Sequence, residues 1–235
     1  MLDEVHQIAR IARRMVRRFS AGERFYRATL HRRHVRLGGR DASFVVDPTT
    51  LTPDGIVYSF GIGTDVSFDL ECISQFSVQV HAFDPTPRSI EWLSTQTLPP
   101  EFHYHEYGLA DFDGVLEFYP PENPAHVSYS IQERAGSKVT CPVHRLSTIM
   151  GDLGHDHLDL LKMDIEGSEY GVIENMLAEG IKPIQLCVEF HHRWPEFGHQ
   201  RTERAIDRLQ SAGYGLFHVS ASGEEFSFIL IEKAI

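Results

Sequence analysis

The chain has 235 residues, of which 42% are hydrophobic and 23% are charged, a length and a balance typical of one well-buried α/β domain and short for two. It carries 22 basic and 33 acidic residues, a formal net charge of −11, which argues against nucleic-acid binding over the surface as a whole. No apolar run approaches the roughly 20 residues of a membrane span, and we recognise no apolar segment typical of a secretory signal.

The charge is distributed unevenly along the chain. Residues 1–40 carry 11 arginines against three acidic residues, a formal +8, whereas residues 41–235 carry 11 basic against 30 acidic residues, a formal −19. We therefore predict an Arg-rich helical extension, residues 1–40, before a main domain, residues 41–235. Apolar residues recur every three or four positions over residues 2–19, which predicts a helix, and residues 20–23 could cap a second helix that runs to about His34.

The Arg-rich extension has three interpretations. It could lie on an anionic membrane surface through residues 1–36, because residues 8–19 offer an apolar face flanked by arginines. It could contact nucleic acid, or it could pack against the acidic main domain. We favour packing against the main domain and expect no nucleic-acid partner, with peripheral membrane contact as the alternative.

Beyond a loop over residues 47–55, apolar strands alternate with amphipathic helices. The predicted strands are Ile56–Phe60, Val78–Phe83, Phe102–Tyr107, Leu158–Met163, Pro183–Phe190, Tyr214–Val219 and Phe226–Glu232. The predicted helices are Asp65–Phe76, Pro87–Ser94, Arg145–Asp152, Glu166–Ala178 and Arg201–Ala212. Gly114–Tyr119 and Lys138–Val143 predict an inserted hairpin. This alternation predicts a mostly parallel sheet of seven strands with helices on both faces.

The last two predicted strands are joined by four residues, Ser220–Gly223. Four residues are too few for a parallel crossover, so these strands must pair antiparallel. We therefore predict a Rossmann-like sheet whose last strand is antiparallel, which differs from the all-parallel sheet of dehydrogenases.

Gly61 and Gly63 follow the first strand of this alternation, and Asp84 ends the next strand, 21 residues after Gly63. Glycines let a ligand approach the backbone closely, and a carboxylate at this place can accept hydrogen bonds from ribose hydroxyls. The third glycine of a dinucleotide fingerprint falls on Val66, which disfavours pyrophosphate cofactors such as NAD and FAD and leaves S-adenosylmethionine open. The alternatives are a plain strand-to-helix turn and a helix cap for the segment that begins near Pro87.

Two further stretches carry weaker or different signals. Gly108 and Leu109 follow the third strand, where they could contact adenine or form a plain loop. Asp164 emerges from the carboxyl end of a buried strand, the side on which open α/β sheets bind ligands. Glu166 and Glu169 follow it, and capping of the next helix alone would explain both glutamates.

Glu189 and His191 end the next strand, and strand alternation places them on one side of it. With Asp164 they could form a catalytic set, in which His191 deprotonates a hydroxyl and a carboxylate orients the ring. The same three side chains could instead hold a divalent cation that acidifies the hydroxyl. The third interpretation is a hydrogen-bonded rim without catalytic function.

The remaining histidines and the cysteines suggest no further site. We interpret isolated histidines, His81, His103, His105 and His155 among them, as structural residues. The three cysteines are far apart and form no CxxC pair, which favours reduced thiols over a disulfide framework and a cytoplasmic location.

Residues 50–235 resemble a known family. The segments Val57–Asp65, His81–Pro85 and Leu160–Glu169 together resemble the FkbM family of S-adenosylmethionine-dependent methyltransferases, and the run LLKMDIEGSEY is similar to its signature. The segments YSFGIGTDVSFD, HAFDPTPRSIEWL and EFHHR are similar to the branch that contains methyltransferase-like protein 24.

The resemblance implies the class I methyltransferase version of the Rossmann-like fold and transfer of a methyl group from S-adenosylmethionine. In many members the acceptor is a hydroxyl of a sugar or natural product, so we expect a small-molecule or glycan acceptor. A nicotinamide-dependent oxidoreductase and a non-catalytic binding module remain the alternatives. The expected cofactor-binding residues are Ser59, Gly61, Gly63, Thr64, Asp65, Asp84, Pro85, Gly108, Leu109 and Asp164.

Overall fold

The computed structural model describes residues 25–39, 42–119 and 138–231. The helix predicted over residues 2–19 lies outside them, and the predicted membrane contact of residues 1–36 stays a prediction. The strands are β1 (Val35–Leu37), β2 (Phe44–Val46), β3 (Ile56–Phe60), β4 (Gln79–Phe83), β5 (Phe102–His105), β6 (Gly108–Leu109), β7 (Gly114–Phe118), β8 (Val139–His144), β9 (Leu160–Met163), β10 (Gln185–Glu189), β11 (Tyr214–Val219) and β12 (Glu225–Leu230). The helices are α1 (Ser67–Phe76), α2 (Pro87–Leu93), α3 (Leu146–Leu153), α4 (Glu169–Ala178) and α5 (Gly198–Ser211).

Seven of the described strands form the central sheet, in the order β11-β12-β10-β9-β3-β4-β5. Neighbouring strands from β10 through β9, β3 and β4 to β5 pair in parallel. Strand β12 lies between β10 and β11 and pairs antiparallel with both. The predicted fold class, a mostly parallel Rossmann-like sheet with an antiparallel last strand, is therefore confirmed.

The sheet is covered on both faces, and alternation along β3 shows how. Val57 packs in one core cluster with Phe68 and Cys72 of α1, whereas Tyr58 packs in the other with residues of α3, α4 and α5. Both side chains are fully buried, as expected for a parallel sheet between two layers of helices. Because helices cover both faces, a ligand can reach the sheet only at the ends of its strands.

The prediction of a second helix that runs to about His34 is wrong for the residues that the structure describes. Residues 25–34 contain no helix, and the amides of Thr29 and Leu30 donate to the carbonyl oxygen of Leu216 on β11, at 2.8 and 3.0 Å. Strands β1 and β2 then pair antiparallel across the boundary predicted at residue 40. Burial of Leu37 and Val46 in the main core favours this hairpin over the helical periodicity of the segment.

The inserted hairpin is confirmed. Strands β7 and β8 pair antiparallel, and β8 also pairs in parallel with the two-residue strand β6, which is too short to leave a periodic signal in the sequence. Cys72, Cys141 and Cys187 are buried free thiols, as predicted. Of the helices in the described residues, none combines the length and the hydrophobicity of a membrane span.

Candidate active site

The loop after β3 is shaped by a close backbone contact. Gly61 has a φ of +72°, and a Cβ at this position would lie 1.7 Å from the carbonyl oxygen of Asp164. Any side chain at residue 61 would therefore force β3 and the loop after β9 apart. Gly63 has a φ of +54°, which L side chains rarely adopt, and no atom lies within 4 Å of where its Cβ would be.

Asp84 ties this glycine loop to the start of α2. The side chain is 5% exposed; its Oδ2 accepts from the Gly63 amide at 2.9 Å, and its Oδ1 accepts from the amide and hydroxyl of Thr86 at 3.0 and 2.6 Å. Asp84 therefore orders the glycine loop and the start of α2 together, as the capping interpretation predicts in part, and its ribose role stays a prediction. A carboxylate offers about four acceptor positions, so three existing bonds leave room for about one more.

A cleft opens at the carboxyl ends of β3, β4 and β9. The predicted cofactor-binding residues that line it are Gly61, Gly63, Thr64, Asp65, Asp84, Pro85, Leu109 and Asp164. Ser59 and Gly108 are not among the described lining residues. Ser59 is fully buried in β3, and Gly108 packs so that a Cβ would lie 3.3 Å from side-chain atoms of Pro85 and Val143.

The cleft is strongly acidic. Five carboxyl side chains and one ammonium line it, a formal charge of −4, and they belong to Asp65, Asp69, Asp84, Asp164, Glu166 and Lys162. Sequence reasoning did not single out Asp69 or Lys162, and it explained Glu166 by helix capping. The signal for Lys162 was available, because it is the one charged residue in the apolar strand Leu160–Met163.

The turn after β9 is held by Glu169. Its Oε1 accepts from the amides of Ile165 and Gly167, at 3.0 and 3.3 Å, and from Nδ1 of His191 at 3.0 Å. Glu166 has a φ of +55°, a left-handed conformation that non-glycine residues adopt at an energetic cost. Glu169, which the sequence suggested to be a helix-capping residue, is fully buried and organises this turn.

His191 faces three carboxylates. Its Nε2 lies 3.4 Å from Glu166 Oε2 and 3.8 Å from Asp164 Oδ1, while its Nδ1 contacts Glu169. Burial alone would lower the pKa of His191, but the negative charges of Glu169, Asp164 and Glu166 outweigh it and raise the pKa to about 11. These carboxylates favour the protonated form of the ring, which counts against a base role for His191, and that role stays a prediction.

Among the described residues, the carboxylates within 4.0 Å of the His191 ring are those of Asp164, Glu166 and Glu169 rather than Glu189. The register partner of Glu189 on β12 is Glu225, and burial, then the charges of Asp164 and Glu225, raises the pKa of Glu189 well above its usual range. Strand β10 ends at Glu189, so alternation does not extend to His191. The ligand atoms grouped within 4.8 Å of one another belong to Asp164, Glu166 and His191; in this group Glu166 takes the place predicted for Glu189.

The chain matches one family model and two curated proteins. The model, described as "Methyltransferase FkbM domain", matches residues 57–216. Probable methyltransferase-like protein 24 of Rattus norvegicus is 28% identical over 172 residues, which cover 69% of this chain and 42% of that protein. The Homo sapiens protein of the same name is 27% identical with the same coverage. The chain therefore spans less than half the length of these relatives.

Two solved structures are similar to the chain at low identity. Methyltransferase FkbM from Methylobacillus flagellatus KT is 15% identical, with a TM-score of 0.48, covering 75% of this chain and 43% of that one. Aeropyrum pernix fibrillarin in complex with S-adenosyl-L-methionine is 12% identical, with a TM-score of 0.42, covering 90% of this chain and 85% of that one.

Proposed function

The chain belongs to the FkbM methyltransferase family, and we propose that it transfers the methyl group of S-adenosylmethionine to a hydroxyl of a small molecule, sugar or natural product. The observation that carries the proposed donor is the acidic cleft behind the Gly61 turn, with five carboxyl groups and one ammonium. When bound, S-adenosylmethionine supplies an electrophilic methyl group on a positively charged sulfur.

The charge of the cleft also separates the proposal from its oxidoreductase alternative. A pyrophosphate would add negative charge to a cleft whose formal charge is already −4, and Val66 stands where a dinucleotide site has its third glycine. A sulfonium is attracted by the same carboxylates. The residues present therefore fit S-adenosylmethionine better than NAD or FAD.

Asp164 is the side chain we assign to the acceptor hydroxyl. It lines the cleft, and burial raises the pKa of its carboxyl above the usual value, which makes it a stronger proton acceptor than an ordinary aspartate. The protonated ring of His191, held by Glu169, lies against Asp164 and Glu166 and limits their mutual repulsion. Methyl transfer is an in-line displacement, so most of the rate enhancement would come from positioning donor and acceptor.

A divalent cation is a second route to the same nucleophile, and one observation favours it. The ligand atoms of Asp164, Glu166 and His191 lie within 4.8 Å of one another, and His191 meets Glu169 through its other nitrogen. A carboxylate behind a histidine ligand is usual in metal sites, and the cation would have to displace the proton from Nε2 of His191, because only a neutral imidazole nitrogen ligates. Treatment with EDTA followed by Mg²⁺ or Mn²⁺ decides the route: activity that survives EDTA supports the carboxylate base, and loss with recovery supports the cation.

Calorimetric titration of the purified chain with S-adenosylhomocysteine and with NAD tests the proposal directly. Binding of S-adenosylhomocysteine alone is expected, binding of NAD alone would support an oxidoreductase, and binding of neither would support a non-catalytic module.

Asp84→Ala should weaken S-adenosylhomocysteine binding by about 1–3 kcal/mol, because a charged hydrogen bond is lost and the Gly63 amide is released. Glu91→Ala, an exposed carboxylate on α2, is the matched control; an unchanged affinity of the Asp84 variant would remove it from the ribose role.

The buried thiols support a further part of the proposal. Three cysteines that are all free and buried suit a reducing compartment. We therefore propose that the protein acts in the cytoplasm, as the cysteine pattern of the sequence suggested.

A further inference from the structure

We propose that the chain binds anionic lipid membranes through a patch at the end of the sheet away from the cleft. The edge patch consists of Leu30, Arg32, Arg33, Lys182 and Ile231. It combines an exposed apolar centre with basic side chains, as surfaces that attach to the membrane–water interface do. The inference goes beyond the proposed function and gives the membrane contact predicted for residues 1–36 a defined place on the folded domain.

The segment of residues 25–34 is fastened to the outermost strand of the sheet. Strand β11 is the last in the sheet order, and the carbonyl oxygen of Leu216 accepts from the amides of Thr29 and Leu30. The Leu30 side chain packs with Phe217 of the same strand. The backbone of the segment is therefore held by the main domain, so packing against this domain and contact with a membrane do not exclude each other.

Ile231 gives the edge patch its apolar centre. It follows β12, and its side chain is 46% exposed. A Cβ on Gly215 would lie 2.8 Å from Leu30 Cδ2 and 2.9 Å from Ile231 Cδ1, so the two side chains approach each other above this glycine. Insertion of Ile231 between lipid headgroups would remove its exposed apolar surface from water, which is favourable.

Lys182 places a positive charge beside this apolar centre. Its exposed side chain donates from Nζ to the carbonyl oxygen of Ala212 at 3.0 Å. The carbonyl oxygen of the next residue, Gly213, accepts from the amide of Ile231 at 2.9 Å. The ammonium group and the exposed isoleucine are therefore fixed to neighbouring residues of one turn.

Two arginines supply the remaining charge. Residues 25–39 contain four arginines and no acidic residue, and the side chains of Arg32 and Arg33 are exposed. Arg32 Nε lies 3.6 Å from Asp47 Oδ2, which is longer than a hydrogen bond, and within the described part of the chain Arg33 forms no ion pair. Both guanidinium groups can therefore contact lipid phosphates, which arginine binds through two parallel hydrogen bonds.

The edge patch and the acidic cleft lie at opposite ends of the sheet. The cleft opens at the carboxyl ends of the parallel strands, whereas the amide of Leu230 donates to the carbonyl oxygen of Ile184, just before β10 begins. Strand β10 has five residues, so the two ends are roughly 15 Å apart, about twice the Debye length at physiological ionic strength. The negative charge of the cleft is thus largely screened at the patch, and the cleft stays open to solution when the patch faces a membrane.

The exposed isoleucine favours a lipid membrane over a nucleic acid as the partner. Basic side chains attract the phosphates of either one, but a membrane also offers an apolar phase to Ile231. Single-stranded nucleic acids bind where aromatic side chains stack on bases between basic ones. None of the five residues of the edge patch is aromatic.

Flotation of the full chain with lipid vesicles tests the proposal. Vesicles of phosphatidylcholine alone are compared with vesicles that contain about 30% phosphatidylserine, at low and at high salt. Binding is expected only with phosphatidylserine, and high salt should weaken it by at least about 10-fold. Equal binding to both kinds of vesicle, or binding to neither, would overturn the proposal.

A triple variant then locates the contact. Arg32→Gln, Arg33→Gln and Lys182→Gln together remove three positive charges, each of which contributes roughly 5-fold near an anionic membrane. The triple variant should therefore bind about 100-fold more weakly. If it does not fold, Arg33→Gln with Lys182→Gln leaves the contact between Arg32 and Asp47 in place and should still weaken binding about 25-fold.

The matched control changes the net charge by the same amount on the other face of the sheet. Leu209 of α5 packs in one core cluster with Leu216, whereas Leu30 packs with Phe217, the next residue of β11. The control variant combines three substitutions of exposed arginines on α5: Arg201→Gln, Arg204→Gln and Arg208→Gln. It should bind within about 3-fold of the unaltered chain. Equal weakening by the two triple variants would show that net charge alone decides, and would overturn the proposal.

Ile231→Asn separates a membrane from the other possible occupants of the edge patch. The variant should weaken vesicle binding by about 3- to 10-fold, because the apolar contribution is lost. If sedimentation shows a dimer that this variant dissociates, the patch binds a second copy and the proposal is overturned. Tighter binding of a short single-stranded oligonucleotide than of vesicles, lost in the edge-patch triple variant, would assign the patch to nucleic acid with the same consequence. The proposed function is tested separately, by S-adenosylhomocysteine binding.

Discussion

Two histidines of the central sheet have pKa values shifted in opposite directions. His191, just beyond β10, is surrounded by carboxylates, which raise its pKa to about 11. His81, in the middle of β4, packs on His103 and His105 with ring centroids 4.7 and 5.3 Å apart, and on His155 at 4.8 Å. Burial and the charges of these histidines lower the pKa of His81 to about 3.

Burial acts in the same direction on both rings, since it disfavours the charged form of a histidine. The neighbours decide the outcome. The carboxylates around His191 gather at the carboxyl ends of strands, next to the cleft, whereas His81 faces the aromatic side of the sheet, where its Nδ1 shares a 3.0 Å hydrogen bond with His105. The comparison predicts that His191 supports turnover through its positive charge. It also predicts that His81 stabilises the fold only in its neutral form.

The largest effect is expected from His191→Ala. Removal of the ring leaves Asp164 and Glu166 without their positive neighbour, so turnover should fall by about 10²- to 10⁴-fold. S-adenosylhomocysteine affinity should stay within about 2-fold, because His191 contacts the carboxylates rather than the glycine loop. Single-turnover kinetics and calorimetry measure the two quantities, and His81→Ala serves as the control for loss of a buried imidazole. Turnover equal to that of the unaltered chain would exclude His191 from the methyl-transfer site.

Glu169→Gln should have the next largest effect, on stability. Breaking a buried ion pair costs about 3–5 kcal/mol, and a change of 3 kcal/mol corresponds to roughly 6–12 °C in melting temperature at this chain length. The raised pKa of His191 contributes stability that is fully present below about pH 6.5 and is lost as the pH rises through about 11. Most of this loss should therefore be seen at neutral pH, and all of it below about pH 6.5.

The control for this variant lies on the same helix. Glu174 is exposed and pairs with Arg208 at 3.0 Å, and a surface pair of this kind contributes little. Glu174→Gln should lower the melting temperature by no more than a degree or two. Equal losses in the two variants would show that the contact between Glu169 and His191 does not stabilise the fold.

The sequence predicts most of the central sheet and only part of the site. The bounds of β3, Ile56–Phe60, are those predicted, because a buried parallel strand is a continuous apolar run between turn residues. Strands β1 and β2 were missed because three residues show no period and their neighbours repeat at helical spacing. Burial against the finished sheet, rather than local preference, decides their conformation.

The same distinction applies to the site. Gly61, Gly63 and Asp84 were predicted because a short motif carries the strand, the turn and the acid together. The contact between Glu169 and His191 joins residues 22 positions apart through a turn and a strand end, so spacing alone does not reveal it. Residues whose role depends on the register of neighbouring strands therefore require the structure.

The smallest expected effect concerns the stability of the fold at acid pH, and it tests the prediction for His81. Because the folded-state pKa of His81 is lowered to about 3, its contribution is present above about pH 6.5, the unfolded value, and is lost as the pH falls toward 3. One such group should lower the free energy of unfolding by about 1 kcal/mol between pH 6.5 and 5.5. His81→Phe keeps an aromatic ring beside His103 and His105 but cannot take up a proton. Denaturant titrations should therefore show that the variant loses less free energy of unfolding at acid pH than the unaltered chain.

His157 is the control, because its pKa is raised by a neighbouring aspartate. His157→Gln should not reduce the loss of free energy of unfolding at acid pH. Identical acid profiles for the unaltered chain and His81→Phe would show that the histidine cluster tolerates charge, and the contrast with His191 would then not hold.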